Sequence, residues 1–314
     1  MPLSLVVGLS GGLDSTVLLH LLTRVHQKIP QLFSLQAIHV HHGLQPAADD
    51  FQAQCQALCK ALSAPLRAVK LSIPAQDIQA LGVEGAARKY RYQAFAEALS
   101  DQSVLVLAHH RDDLLETALL QWIRGAGLEG LSAMKRFSPL VLGDKKIVRW
   151  RPLLDQGRQS LLDYAAREQL QWIEDPTNTS DDFARNRIRH EVMPVLRSLR
   201  SGADTAMARS IAHLQTAREL LDLVTDQALA GCLGADQALL VTALLAHEDA
   251  LAARVLRAWI KQQGAPTPPA RRLAEFLRQL RAAKEPFAQM DLAETGSGPV
   301  WRVLRERDVL KIAR

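Results

Sequence analysis

The run Ser10-Gly11-Gly12-Leu13-Asp14-Ser15 lies between an apolar stretch, Leu3 to Leu9, and a helical pattern that begins near Thr16. Two adjacent glycines let a backbone turn tightly and bring its N–H groups close to a ligand. The start of a helix adds unpaired N–H groups and a positive dipole end. Together these make an anion cradle, most naturally for phosphate. The run lacks the lysine of a G-x-x-x-x-G-K-[ST] loop and does not follow G-x-G-x-x-G. A capped strand-to-helix turn without a ligand is the structural alternative. Two further clusters, His39-Val40-His41-His42 and His109-His110-Arg111-Asp112-Asp113-Leu114-Leu115-Glu116, close apolar strand-like runs. Asp113 and Glu116 are three residues apart and share a helix face. Beside a polyphosphate, such a pair can hold Mg²⁺ or an incoming ammonium group. The alternative for the carboxylates is helix capping, which Asp112 can serve alone; for His39, His41 and His110 it is satisfied polar packing. Cys55 and Cys59 are spaced C-x3-C, with Cys232 far away, which is neither a redox pair nor a zinc set and reads as core packing.

These groups need a scaffold, and the first half of the chain spells one. Strand-like runs at Leu3 to Leu9, Leu35 to Val40, Leu66 to Leu71 and Val104 to Ala108 alternate with helical patterns at Thr16 to Val25, Ala47 to Leu62, Glu84 to Leu99 and Asp112 to Ile123. That alternation predicts a parallel sheet with helices on both faces. The two histidine clusters then fall at carboxyl ends of strands, where ligands bind in open α/β sheets. Val141-Leu142 and Ile147 to Trp150 read as a hairpin or edge, Ser160 to Leu170 as a helix, and Gln171 to Ile173 as a last strand. A turn-rich segment, Glu174 to Asp182, precedes a helix over Phe183 to Leu199. After a linker at Ser201 to Asp204 the chain turns mainly helical: Ala206 to Leu229, Glu248 to Gln263 and Ala270 to Ala283. A small hairpin around Glu306-Arg307-Asp308 ends it.

The 314 residues suggest two domains, here 1–200 and 204–314, and a hydrophobic fraction of 48% fits an ordinary folded chain. No basic region precedes Leu5 to Leu9, and no stretch approaches the ~18 apolar residues of a membrane span, so a soluble cytoplasmic chain without a membrane partner is expected. The net charge is +5, a mild basic excess compatible with a nucleic-acid partner. Residues 254 to 284 hold eight Lys/Arg against Glu275 alone, a surplus of +7 that leaves −2 for the remainder. Arg271, Arg272 and Arg278 there read as contacts to an RNA backbone, with a solvated amphipathic face as the alternative.

Ser10 to Ser15 resembles the PP-loop of the ATP pyrophosphatases, which cleave ATP between the α and β phosphates and carry this loop after the first strand of a Rossmann-like sheet. Glu84-Gly85-Ala86-Ala87-Arg88 with Arg91-Tyr92, Arg124-Gly125-Ala126-Gly127-Leu128-Glu129-Gly130-Leu131, Arg151-Pro152-Leu153-Leu154, Glu174-Asp175-Pro176-Thr177-Asn178 and Arg185-Asn186-Arg187-Ile188-Arg189 follow in order. Over residues 3 to 197 this series resembles the tRNA(Ile)-lysidine synthetase family, in a short form without a further C-terminal domain. His41 departs from the family's usual asparagine. The resemblance implies an α/β, Rossmann-like parallel sheet of the PP-loop ATP pyrophosphatase type, followed by a smaller, mainly helical tRNA-binding domain. It implies ATP and Mg²⁺ as cofactors, free L-lysine and the isoleucine tRNA with a CAU anticodon as partners, and is compatible with a homodimer. The implied reaction adenylates the wobble cytidine at its C2 oxygen, releases pyrophosphate, and lets the lysine amine displace AMP.

The implied ATP contacts are Ser10, Gly11, Gly12, Leu13, Asp14 and Ser15, with adenine against Ile38, His39 and Val40 and with His109 lining the site. Asp14, Asp113, Glu116 and Arg185 would carry the chemistry, Asp14 and Asp113 would place Mg²⁺, and Arg187 would touch RNA. A 2-thiocytidine synthetase, a non-catalytic nucleotide-sensing module and an amide ligase are the rival readings.

Overall fold

A computed structural model describes residues 3–41, 43, 48–132, 134–142, 144–174, 184–282, 288–292 and 301–313. Two compact units result, Met1–Gln215 and Thr216–Arg314.

The first unit opens β1 (Leu3–Gly8), α1 (Leu13–Lys28), β2 (Phe33–His41), α2 (Ala48–Ala61), β3 (Leu66–Lys70), α3 (Ala75–Ala98), β4 (Ser103–Val106) and α4 (Arg111–Ile123). A short α5 (Leu128–Leu131), β5 (Phe137–Leu142), β6 (Lys145–Trp150) and α6 (Arg158–Arg167) follow. The strands form one sheet in the order β3-β2-β1-β4-β6-β5. All pair in parallel except β5, which runs antiparallel to β6 at the edge. Along β1 the side chains alternate between faces. Leu5 and Val7 join a core with Val17, Leu18 and Leu19 of α1, Cys55, Leu58 and Cys59 of α2, and Leu161 and Ala165 of α6. Val6 faces the other way, into a core with Phe95 and Leu99 at the end of α3.

Three expectations are corrected here. Gln171 to Ile173 is not a strand; it runs beside the glycine loop, where the Ile173 amide donates to the Gly11 carbonyl at 3.1 Å. Half-buried Trp172 packs against the core that α1, α2 and α6 share, which satisfies it without a ladder. The helix expected over Phe183 to Leu199 is divided into α7 (Ala184–Arg187), a π turn (Ile188–Val192) and α8 (Met193–Leu199). Pro194 sits at the start of α8, where its missing N–H breaks the i→i−4 ladder. The helix expected from Glu84 starts earlier, at Ala75, and is interrupted at Gly82. His42 and most of Glu174 to Asp182 lie outside the described residues.

A long α9 (Ala203–Cys232) begins in the first unit, because Met207, Ala208 and Ile211 pack with Leu114, Leu115 and Leu119 of α4. The second unit adds β7 (Leu239–Leu240), α10 (Val241–Leu245), α11 (Asp249–Gln262), α12 (Ala270–Ala282), β8 (Gln289–Asp291), β9 (Arg302–Glu306) and β10 (Val309–Ala313). The expected hairpin is β9 and β10, which turn at Arg307 with φ 58°. β7 and β8 extend it to an antiparallel sheet in the order β7-β10-β9-β8. Its core gathers Leu256, Trp259, Ile260, Phe276 and Leu277. Among the described residues, no helix is long and apolar enough to cross a membrane.

Candidate active site at the carboxyl edge of the sheet

The strand order reverses between β1 and β4, so the loops after these two strands leave a crevice at the sheet's carboxyl edge. The loop after β1 is the glycine run. Gly11 has φ +91°, a conformation L side chains rarely adopt. Ser15 is buried and ties the loop together. Its Oγ accepts from the Ser10 amide at 3.1 Å and donates to the Gly12 carbonyl at 3.1 Å. Gly12 caps α1 without a side-chain bond, and the first-turn N–H groups of Leu13, Asp14 and Ser15 are those a helix leaves without an internal partner. The carbonyl of Ile38 already accepts from the Leu9 amide at 2.9 Å, and the Ile38 side chain is core. His39 is buried with Nδ1 2.9 Å from the Leu9 carbonyl, and its Nε2 has no partner. Burial lowers the His39 pKa, so the neutral ring donates from Nδ1. Val40 is half-buried in β2 beside it.

The loop after β4 brings its charges to the same place. His110 is 2% exposed, and its Nε2 lies 3.6 Å from both Asp14 Oδ2 and Asp113 Oδ2. Its Nδ1 lies 3.4 Å from Asp112 Oδ2. Burial opposes a charge on this ring. Hydrogen bonds to Asp112 and Asp14 and the charge of Asp113 outweigh it and raise the pKa to about 10. The ring so charged is ion-paired with the three carboxylates; the Asp112 amide, aimed at Nδ1 from 3.2 Å, finds an acceptor there only when the ring is neutral. Asp113 closes a capping box by accepting from the His110 amide at 2.9 Å. Its pKa is lowered: burial pushes the other way, and the charges of His110 and Arg185 prevail. His109 accepts at Nδ1 from Arg151 Nε at 3.2 Å; burial lowers its pKa to about 4, so it is neutral.

Glu116 is 1% exposed and fully engaged. Arg185 Nε donates to it at 2.6 Å while Arg185 Nη2 donates to Asp113 at 2.6 Å. Arg189 donates to the same carboxylate at 2.7 and 3.1 Å. Asp14, Asp113, Glu116 and Arg185 are thus joined through His110 in one network with the glycine loop, and His109 bonds beside it to Arg151. Arg187 pairs with Glu191 one turn on. Arg271, Arg272 and Arg278 belong to the second unit, where Arg278 pairs with Glu275 at 2.6 Å. Sequence reasoning missed His110 as the hub and gave Arg189 no role in the site. The signal was available in the i, i+4 spacing of Arg185 and Arg189.

A divalent cation fits here in one respect. Asp14 Oδ1 is buried with no partner, whereas both Asp113 oxygens are used by His110 and Arg185. Mg²⁺ commonly takes one or two carboxylates and completes its shell with phosphate oxygens and water, so Asp14 suits it better than Asp113.

The cysteines are packing groups, with Cys55 buried behind the glycine loop and its Sγ 3.3 Å from His39 Nδ1. Burial pushes the Cys55 thiol up to about 12 and Cys59 to about 11. At pH 8 both remain thiols, so iodoacetamide should leave them unmodified in the folded protein and alkylate them in urea, as read by mass spectrometry. Fast native labelling of either would contradict this burial.

A family model described as PP-loop domain matches residues 2–196, and one described as TilS substrate binding domain matches residues 239–310. The chain belongs to the PP-loop domain family. Its curated relatives are named tRNA(Ile)-lysidine synthase: 42% identity over 280 residues with that of Xanthomonas axonopodis pv. citri, covering 89% of this chain and 62% of the relative, and 47% over 218 residues with that of Pseudomonas fluorescens, covering 69% and 47%. A relative from Neisseria meningitidis serogroup B is 42% identical over 281 residues, covering 88% and 63%. The chain therefore spans less than two thirds of these relatives' length. Among solved structures, the U34-tRNA thiolase NcsA from Methanococcus maripaludis with its [4Fe-4S] cluster aligns with a TM-score of 0.56 at 21% identity over 68% of this chain and 73% of its own, a likeness of fold.

Proposed function

We propose that this protein ligates lysine to C2 of the wobble cytidine in the CAU-anticodon isoleucine tRNA, using ATP and releasing AMP and pyrophosphate. The observation that carries the reading is the meeting of the glycine loop with the His110–Asp14–Asp113 cluster, 3.6 Å apart, at the switch point of the sheet. The likeness to lysidine synthases across both family models supports it.

In this reading the amides at the start of α1 hold the β and γ phosphates, and the C2 oxygen of cytidine attacks the α-phosphorus in line. Asp14, through its free Oδ1, would hold Mg²⁺, which neutralises charge on the departing pyrophosphate. Arg185 is 37% exposed and spans Asp113 and Glu116. An incoming phosphate competes for it, and as Arg185 turns to the adenylyl group one acceptor position on each carboxylate is freed for the lysine ammonium, while Arg189 keeps its hold on Glu116. Asp113 then lies ready to accept the amine's proton before C–N bond formation. The adenylated oxygen leaves as AMP, a far better leaving group than the cytosine carbonyl oxygen. The protein acts as a soluble enzyme of the cytoplasm, alone or as a homodimer.

Incubation with ATP, Mg²⁺, labelled lysine and the CAU-anticodon isoleucine tRNA tests the reading. Label in the RNA is expected, and none with a methionine tRNA. RNA-independent pyrophosphate release would instead indicate an amide ligase, and nucleotide binding without turnover a sensing module. Thiolation is disfavoured because Cys55, Cys59 and Cys232 are all buried.

The second unit would grip the RNA backbone. Its basic surplus is partly spent internally: Arg254 pairs with Asp222, Arg278 with Glu275 and Arg281 with Asp249; Lys284 lies outside the described residues. Arg271 and Arg272 stand at the start of α12, Arg272 also donating to the Asp291 carbonyl at 3.1 Å, and would present their charge to the RNA. Reversing both to Glu is expected to flatten the plot of log K for tRNA against log salt by about one to two in slope. An unchanged slope would remove that surface from the contact.

A further inference from the structure

A cavity of about 670 Å³ opens beside the reaction site, within the first unit. It shares Glu116 and Arg189 with that site and is otherwise lined by residues to which no step above assigns a role. Arg111, Arg158, Arg197 and Arg200 line it together with Arg189. Three carboxylates, Asp112, Glu116 and Asp204, line it as well. Five guanidiniums against three carboxylates leave a surplus of two positive charges.

The carboxylates are already claimed. Asp112 accepts from Arg197 at 2.6 Å and from the Arg158 amide at 2.9 Å. Asp204 pairs with Arg197 at 2.9 Å, and Glu116 with Arg189 at 2.7 Å. Among the described residues, the side chains of Arg111, Arg158 and Arg200 have no acidic partner. Arg111 spends Nη1 on the Thr205 hydroxyl at 3.0 Å, and its Nε is buried with no partner. A buried donor left unmade costs free energy that a ligand can recover. The same cavity is lined by Gly157, Arg158, Gln159 and Ser160 at the N-terminus of α6, whose first turn holds no acid. The helix dipole adds to the positive field there.

We propose that this cavity seats a backbone phosphate of the RNA, next to the nucleotide that enters the reaction site. The proposal rests on the ligase reading and deepens it. Planar guanidiniums in a fork suit a phosphodiester. Free lysine carries a net positive charge and is repelled by the cavity's surplus, so its α-carboxylate is the weaker candidate. The wobble base must leave its stack, which costs a few kcal/mol; a phosphate held beside the site offsets part of that cost and fixes the strand's register.

The test uses the full chain, a fluorescent anticodon stem-loop with a CAU loop, and the double variant Arg158→Gln/Arg200→Gln. Neither residue has an ion pair to lose, and matching thermal melts check the fold. The variant is expected to bind the stem-loop about tenfold more weakly at 0.15 M KCl, with a salt slope smaller by about one. The half-saturating lysine concentration should stay the same. A neutral methylphosphonate at one linkage flanking the wobble cytidine should weaken the wild type similarly and the variant no further. Unchanged RNA affinity and slope in the variant overturn the proposal. So does a raised lysine requirement, or weaker pyrophosphate inhibition, with RNA binding intact, since the cavity would then serve that smaller anion. If the wild type transfers no lysine yet the slopes still differ, the ligase reading falls and the phosphate seat stands.

Discussion

Glu116→Ala should bring lysine transfer to background and lower stability by about 2 kcal/mol, measured by labelled-lysine incorporation and urea denaturation. Removing one partner of a buried pair costs about 3–5 kcal/mol where the other charge is stranded. Here Arg185 and Arg189 keep side-chain exposures of 37% and 28%, so water relieves part of that cost. The chemical loss is separate. Without Glu116, Arg185 has Asp113 alone to hold it, and the ammonium loses one of its two proposed carboxylates. Glu116→Gln separates the two effects because it keeps the volume and one acceptor. It should retain most of the stability while activity drops about a hundredfold or more. Activity within tenfold of wild type in both variants would remove Glu116 from the reaction.

Gly11→Ala should cut ATP-dependent turnover about a hundredfold with the fold retained. The φ of +91° costs an L residue about 1–2 kcal/mol. The new Cβ would also lie 3.1 Å from Phe51 Cδ1, 3.2 Å from the Phe51 carbonyl and 3.3 Å from Cys55 Sγ. Relief requires α2 or the loop to shift, and the loop's amides shift with it. Gly12→Ala is the contrast. Gly12 lies in ordinary extended backbone, and its nearest new neighbours are Ser10 Oγ at 3.5 Å and the Ile173 carbonyl at 3.8 Å. It should lose no more than about tenfold. Equal losses in the two variants, read by nucleotide binding and turnover, would mean that backbone conformation is not what the loop demands.

The contrast between these glycines marks the limit of the local text. Both look alike as a doublet, but the folded backbone sets one at φ +91° with Phe51 and Cys55 against it and leaves the other extended. Cys55 itself was legible as core because no zinc or redox spacing surrounds it. His39 and His110 were not separable from sequence: each stands toward the carboxyl end of a strand-like run, yet His39 lies within β2 against the Leu9 carbonyl and His110 beyond β4 among three carboxylates. Gln171 to Ile173 misled for a related reason. Apolar residues in a short run satisfy a strand and a buried loop equally, and periodicity over so few positions does not choose. The charge surplus of residues 254 to 284 was readable as a count, but its internal pairing with Asp222 and Asp249 was not.

By itself the sequence determined the parallel α/β scaffold, the glycine loop after its first strand and the placement of acidic and histidine residues at strand ends. These depend on side-chain period and on φ demand, which neighbouring residues carry. Only the tertiary structure decided which charge neutralises which. Glu116 meets arginines 69 and 73 positions away, and Asp14 reaches His110 across the sheet. Such pairings arise from where helices dock after the chain has folded, and an ion pair in a crevice leaves no periodic trace along the chain.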